Sequence, residues 1–217
     1  MKIITEGVAF FTSFYMATGY IAGIFIFILD YPNIEPDKRI YLLSAYTSLH
    51  YFINLILYIL FGFSLVLFSI PENLKEGNML LVKASVIIGI IWAGLLIASG
   101  MVANAGIAPT ITLLSQDTEN AKLFWSNIET VSNGLGGANG EVVGGVFTIL
   151  VGLSAWQNIY FNTFLNYFGL MVGTLGIAST FPDLNSLTSI FGVTQAAWFI
   201  WLGITFLRKS KLSLNVS

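Results

Sequence analysis

The chain has 217 residues, of which 56% are apolar and only 9% charged, with a mean hydropathy of +0.81. A soluble domain carries about 25% charged residues to cover its water-facing surface, so this composition excludes a soluble globular protein. A net charge of −2 offers neither a nucleic-acid-binding surface nor a polybasic patch for anionic lipid; the lack of cysteine and the single histidine, His50, exclude disulfides, thiolate chemistry, bis-histidine haem and two-histidine metal sites.

Taken in order, the apolar runs predict an all-α polytopic membrane protein, because about 20 apolar residues span a hydrocarbon core. Six transmembrane helices are expected, near residues 7–29, 41–70, 79–108, 138–157, 160–181 and 187–207, in a single transmembrane domain. The first run is too long for the apolar region of a signal peptide, about 7–15 residues, and Gly19 and Gly23 give it a GxxxG face. The second opens with a polar row, Tyr46, His50 and Asn54, whose four-residue spacing puts them on one helix face. The third is expected to stop near Ala108, since the residue before Pro109 is biased away from helix.

Between Pro109 and Asn133, Asp117 and Thr118 are helix-capping residue types. Phe124, Ile128, Val131 and Leu135 then recur at helical spacing, with Lys122 and Glu129 among their polar neighbours. This pattern predicts a short amphipathic helix on the outer face. The fourth and fifth spans follow one another almost directly and predict a tight hairpin. Trp125, Trp156, Trp198 and Trp201 lie near span ends, as in an interfacial aromatic belt. Lys2, Lys75, Lys83, Arg208, Lys209 and Lys211 fall on one side of a six-span chain, and Lys38, Arg39 and Lys122 on the other. The imbalance predicts an inner-membrane protein with both termini in the cytoplasm.

The most informative stretch is NGLGGANGEVVGG, Asn133 to Gly145. Gly136, Gly140 and Gly144 stand four apart and lead into an apolar run, as do Gly169 and Gly173 in the fifth span. Small residues at that spacing let helix backbones approach closely in a membrane. Glu141 sits within the row. An ionisable group at membrane depth is a candidate functional residue, whereas at a helix N-terminus a carboxylate simply suits the dipole. Glu141, His50, Asn54 and Tyr46 are therefore the candidate intramembrane polar site, with helix packing as the alternative role for His50. The glycines lack the strand-turn-helix setting of a dinucleotide site and the Gly-Lys-Ser/Thr end of a P-loop. No hydrolase or zinc-protease motif occurs, and the aspartates fall in expected loops. No cofactor, metal or catalytic residue is expected.

The run from Asn139 to Lys209 resembles a family of six- or seven-span prokaryotic membrane proteins of unknown function. The resemblance rests on Gly140-Glu141 before the fourth span, Gly169, Gly173 and Gly176 in the fifth, and Trp198 with Trp201-Leu202-Gly203 in the sixth. It implies a multi-span architecture and no particular activity. The leading functional expectation is a non-enzymatic accessory or assembly subunit, packing through glycine faces against other membrane subunits or itself, with the lipid bilayer as its other partner. The alternative is a small-solute or proton-coupled transporter using Glu141 and His50.

Overall fold

A computed structural model of the protein describes residues 2–26, 34–69, 78–136, 142–157, 161–184 and 186–214. Among the described residues there are helices and turns and no strand. The helices are α1 (Lys2–Gly23), α2 (Pro36–Ala45), α3 (Thr47–Asn54), a π-helical segment (Leu55–Leu60), α4 (Phe61–Phe68), α5 (Met79–Leu114), α6 (Thr118–Gly136), α7 (Val142–Ser154), α8 (Thr163–Ala178) and α9 (Leu187–Leu214).

Among the described residues, four helical segments are long and apolar enough to cross a membrane: Glu6–Ile26, Thr47–Phe68, Met79–Leu114 and Leu187–Ser210. This corrects the expected six. α7 has 13 residues and α8 has 16, both short of the roughly 20 that a span requires. Capping sets the start of α8. Asn162 takes the backbone N–H of Phe164 at 2.9 Å and so starts α8 later than the apolar run does. Beyond Ala178 the chain turns into a short 3₁₀ turn, Pro182–Leu184.

Two further boundaries differ from expectation. The second apolar run breaks at Tyr46 (φ −122°, ψ 39°), so residues 41–45 belong to α2, a separate helix with Pro36 in its first turn. α5 does not stop at Pro109 but continues to Leu114. Proline removes one backbone hydrogen bond and crowds the preceding turn; here tertiary packing overrides that cost. Ile128 of α6 sits against Gly106, and the Thr110 hydroxyl donates to the Gly106 carbonyl at 2.6 Å.

The amphipathic helix is α6. Asp117 accepts from the backbone N–H groups of Glu119 and Asn120 at 3.0 and 3.1 Å and starts it. Its buried stripe is Ala121, Trp125 and Ser132, with Ile128 packed beside it, rather than the expected row through Phe124 and Val131. The reason is that α6 lies along α5, so its inner face is set by that helix instead of a bilayer surface. Ser99 and Ser132 fasten the two: the Ser99 hydroxyl donates to the Ser132 carbonyl at 2.8 Å, and the Ser132 hydroxyl reaches the Ser99 carbonyl at 3.1 Å.

Among the described residues there are two apolar cores. The larger joins α1, α4, the first half of α5, α7, α8 and α9, through Met16, Leu65, Phe68, Trp92, Phe147, Val172, Trp198 and Phe199. Trp198, 1% exposed, therefore belongs to the core and not to an interfacial belt, and buried Trp125 likewise packs inside. The smaller core gathers Leu43 of α2, Ile107 of α5 and Trp125 of α6. α1 and α9 run antiparallel: Gly203 lies against Phe14 and Ser13, and Gly192 against Ile24.

α7 and α8 meet backbone to backbone. A Cβ built on Gly145 would lie 2.6 Å from the Gly173 carbonyl oxygen, and one built on Gly173 would strike the Gly145 carbonyl in return. Gly169 and Gly176 on α8 seat Trp198 and Phe191 of α9. Because the obstacle at Gly145 and Gly173 is backbone, no side-chain rotation relieves it. Gly173→Leu is expected to destabilise the protein by at least the roughly 1–3 kcal/mol of core overpacking, while Gly94→Leu, where nothing lies within 4 Å, changes stability little. Thermal melts of both variants in the same detergent check this.

Candidate functional site

The sequence-derived polar site is not assembled among the described residues. Tyr46 is 56% exposed at the break between α2 and α3. His50 is half-buried and its Nδ1 lies 3.1 Å from the Tyr46 carbonyl oxygen, which it meets as an N–H donor. Asn54 alone turns inward: its Nδ2 donates to Oδ1 of Asn104 on α5 at 2.9 Å. It stands at the start of the π-helical segment, where the Tyr15 hydroxyl donates to the Ile56 carbonyl at 2.6 Å. A side chain inserted at such a carbonyl is one way a wider helical turn is held. Residues 137–141, with Gly140 and Glu141, lie outside the described residues, so the carboxylate has no place in the geometry below.

What the structure does assemble is a cavity of about 340 Å³ where α5, α6 and α7 meet. α5 supplies Trp92 and Leu95, and the end of α6 supplies Thr130 and Asn133–Gly136. Val142, Val143 and Gly144 come from the first turn of α7, and Thr180 from the turn after α8. The glycine-rich stretch thus flanks the cavity from both sides, with Gly136 and Gly144 in its wall. Its size is at the lower end of the roughly 300–1,000 Å³ of small-molecule sites.

Each wall is held by specific bonds. The serine pair at Ser99 and Ser132 pins the end of α6. Gly136 then leaves the helix with φ +152°, a conformation that favours glycine, beside Leu95 and Leu96. Across the cavity, Gln195 of α9 donates from Nε2 to the Thr148 hydroxyl at 3.1 Å, and Thr148 donates to the Gly144 carbonyl at 2.9 Å. A buried polar chain of this kind fixes the first turn of α7 relative to α9.

Among the described residues the lining is uncharged, with no acid, base or histidine. Trp92 is 2% exposed, edge-on to Phe61 and tilted against Phe147, and its indole Nε1 has no hydrogen-bond partner among the described residues. A buried donor left unmade costs about 1–3 kcal/mol. Among the described residues no three histidine, aspartate or glutamate side chains gather as metal ligands. Sequence reasoning passed over Trp92, Thr130 and Thr180 as site residues. The available signal was Trp92 as the one aromatic side chain in the otherwise aliphatic α5. No protein-family profile, curated protein or solved structure matches the chain.

The bend at Gly136 yields paired expectations of opposite sign. Gly136→Ala places a Cβ at a strained φ, at a cost of about 1–3 kcal/mol, and lowers the melting temperature. Gly134→Ala, inside α6 with nothing within 4 Å, raises stability by about 0.5–1 kcal/mol. Melts of the two single variants against the parent read both.

Proposed function

We propose that the protein is a polytopic membrane protein of the small-solute-handling kind, which takes an uncharged solute into the cavity between α5, α6 and α7. The single observation that carries this is a cavity of ligand size, about 340 Å³, whose described wall is uncharged and includes Trp92. In this reading α7 and α8 are membrane-embedded as a short hairpin within the bundle, which gives six embedded helices. Their length suits buried core helices in a membrane protein, and their glycines bring the two backbones together without lipid between them.

The orientation follows from charge. The backbone N–H of Asn78 bonds to the Ser154 carbonyl at 3.2 Å, so the start of α5 and the end of α7 share a side. Phe206 of α9 packs against Phe68 and Phe161 at that side. The start of α1 and the end of α9, with Lys2, Lys83, Arg208 and Lys209, belong there too, which supports a cytoplasmic assignment for that side in an inner membrane. The cavity, α6 and α2 then lie toward the outer face. α5 at 36 residues is about 54 Å long, against roughly 30 Å of hydrocarbon, so its last third, with α2 and α6, forms a small head outside the bilayer.

A second reading, an assembly subunit, draws on a different surface. Gly145, Gly169, Gly173 and Gly176 are occupied by contacts within the chain. On α5, however, exposed Ile87, Ile90, Ile91 and Met101 flank Gly94, where a partner helix would meet no obstruction.

A test uses the protein in nanodiscs with a panel of uncharged solutes. At least one is expected to raise the melting temperature, because ligand at one hundred times Kd adds about 2.7 kcal/mol. The cavity-filling variants Thr180→Trp and Asn133→Phe should abolish that rise. If no solute stabilises the protein, or if stabilisation survives both fillings, the solute reading fails. Loss of self-association or partner capture in Gly94→Leu would favour the subunit reading in its place.

A further inference from the structure

Thr47–Phe68 is one helical run long enough to cross a membrane, yet six residues inside it depart from α-helical form. Leu55–Leu60, between α3 and α4, closes π-helical turns, in which an N–H reaches back five residues rather than four. Its sequence, LILYIL, holds neither glycine nor proline, and leucine is a strong α-helix former. The wide turn is therefore imposed by neighbouring helices. α1 supplies the Tyr15 hydroxyl, which donates to the Ile56 carbonyl at 2.6 Å. α5 supplies Asn104, whose Oδ1 accepts from Nδ2 of Asn54 at 2.9 Å. It also supplies Gly100, where an added Cβ would lie 2.8 Å from Cβ of Tyr58. We propose that Leu55–Leu60 is a two-state joint, latched in the π form by Tyr15 and by the Asn54–Asn104 pair, whose conversion to α-helix turns α3 about its own axis while α4 stays in place.

The two sides of the joint are anchored unequally. After it, Phe61, Leu65 and Phe68 of α4 are buried in the large core, and a Cβ on Gly62 would lie 2.8 Å from the Ala93 carbonyl oxygen of α5. Before it, Asn54 is the one buried residue of α3. The other end of α3 is a second break, at Tyr46, whose ψ of 39° lies outside the α-helical range. α3 is thus an eight-residue rod between two joints, and the break at Tyr46 can take up a change in its length. A π turn holds one residue more than the α turn it replaces. Its loss advances α3 by one residue, about 100° and 1.5 Å. That rotation carries Asn54 away from Asn104, so the asparagine bond opens when the joint does. The sequence of α3, TSLHYFIN, contains no acid, lysine or arginine, so turning it drags no permanent charge through hydrocarbon. Helix register shifts of this kind take microseconds to milliseconds. The cavity between α5, α6 and α7 plays no part in it.

Paired spin labels read the two sides of the joint separately, because the chain has no cysteine of its own. Cysteines replace Ser48 of α3, Phe63 of α4 and Met101 of α5, all exposed. Double electron–electron resonance in nanodiscs then measures the distance from Met101 to each of the other two. Tyr15→Phe, which removes only the latching hydroxyl, is expected to raise the ratio of a second Ser48–Met101 distance to the first about tenfold, the worth of one net hydrogen bond. The Phe63–Met101 distance stays as it was. Asn104→Ala should populate the same second Ser48–Met101 distance, and it stands in should Tyr15→Phe not fold. Deleting Leu60 removes the residue that the wide turn absorbs. The shortened chain should keep the original Ser48–Met101 distance and gain no second one when Tyr15→Phe is added. An unchanged Ser48–Met101 distribution in both latch variants overturns the proposal. So does equal broadening of both distances, which reports a general loosening of the bundle, or a second distance that persists after the deletion. A deletion variant that does not fold shows that the segment has no surplus residue, and likewise counts against the joint.

Discussion

A helix longer than a bilayer's hydrocarbon core is thick governs this protein. α5 is continuous over 36 residues, about 54 Å, and α2, α3, the π-helical segment, α4, α6 and α7 are placed by where they meet that axis. α4 and the π-helical segment pack on its first two-thirds, where Gly100 lies under Tyr58. α7 meets it at Phe147, next to Gly89 and Trp92. α6 and α2 pack on the last third, around Ile107. The large core and the small one are thus two stations on one helix. The return of α6 down α5, locked by Ser99 and Ser132, brings the chain to the level of Leu95 and Leu96 before α7 begins. The cavity is the space left where the descending helix ends and the next one starts.

The second constraint is the absence of side chains between α7 and α8. Helices in a membrane gain little from hiding apolar surface, since lipid is equally apolar, and so associate through close packing and polar contacts. Gly145 against Gly173 supplies the first, and the chain from Gln195 through Thr148 to the Gly144 carbonyl supplies the second. Both act within one turn of the cavity wall. The rigidity of the hairpin and the shape of the site therefore have the same source, which is why the glycine-rich stretch carries so much of the protein's character.

Much of this was legible in the residues themselves, for definable reasons. Composition decided the all-α membrane class, because no soluble surface can be made from so few charges. The Asp117 cap announced α6, since capping is local chemistry. Failures came where a distant contact decided a local outcome. Pro109 should have ended α5, but Gly106 and Ile107 are held by α6, a partner that lies later in the chain. The inner stripe of α6 moved onto Trp125 because its neighbour is a helix and not a lipid surface. Apolar length over-counted the spans, because it cannot show that Asn162 caps α8 or that α7 ends at Ser154. The row of Tyr46, His50 and Asn54 was read as one helix face; the break at Tyr46 leaves only Asn54 turned inward, to Asn104. For the cavity, Gly136 and Gly144 were visible as a pattern, whereas Trp92 and Thr180 reach it from other helices and no spacing in the sequence links them.

The central claim is that α5 crosses the bilayer and then carries α2 and α6 beyond it on the outer side. Because the chain has no cysteine, single cysteines report position without background. Cysteines at Ile87, Met101 and Ser115, all exposed on the protein surface, would be labelled in intact cells with a membrane-impermeant maleimide. The arrangement predicts no reaction at Ile87, which faces lipid, slow reaction at Met101 near the boundary, and full reaction at Ser115. A Ser115 cysteine as unreactive as that at Ile87, or one that reacts only from the cytoplasmic face, would contradict it.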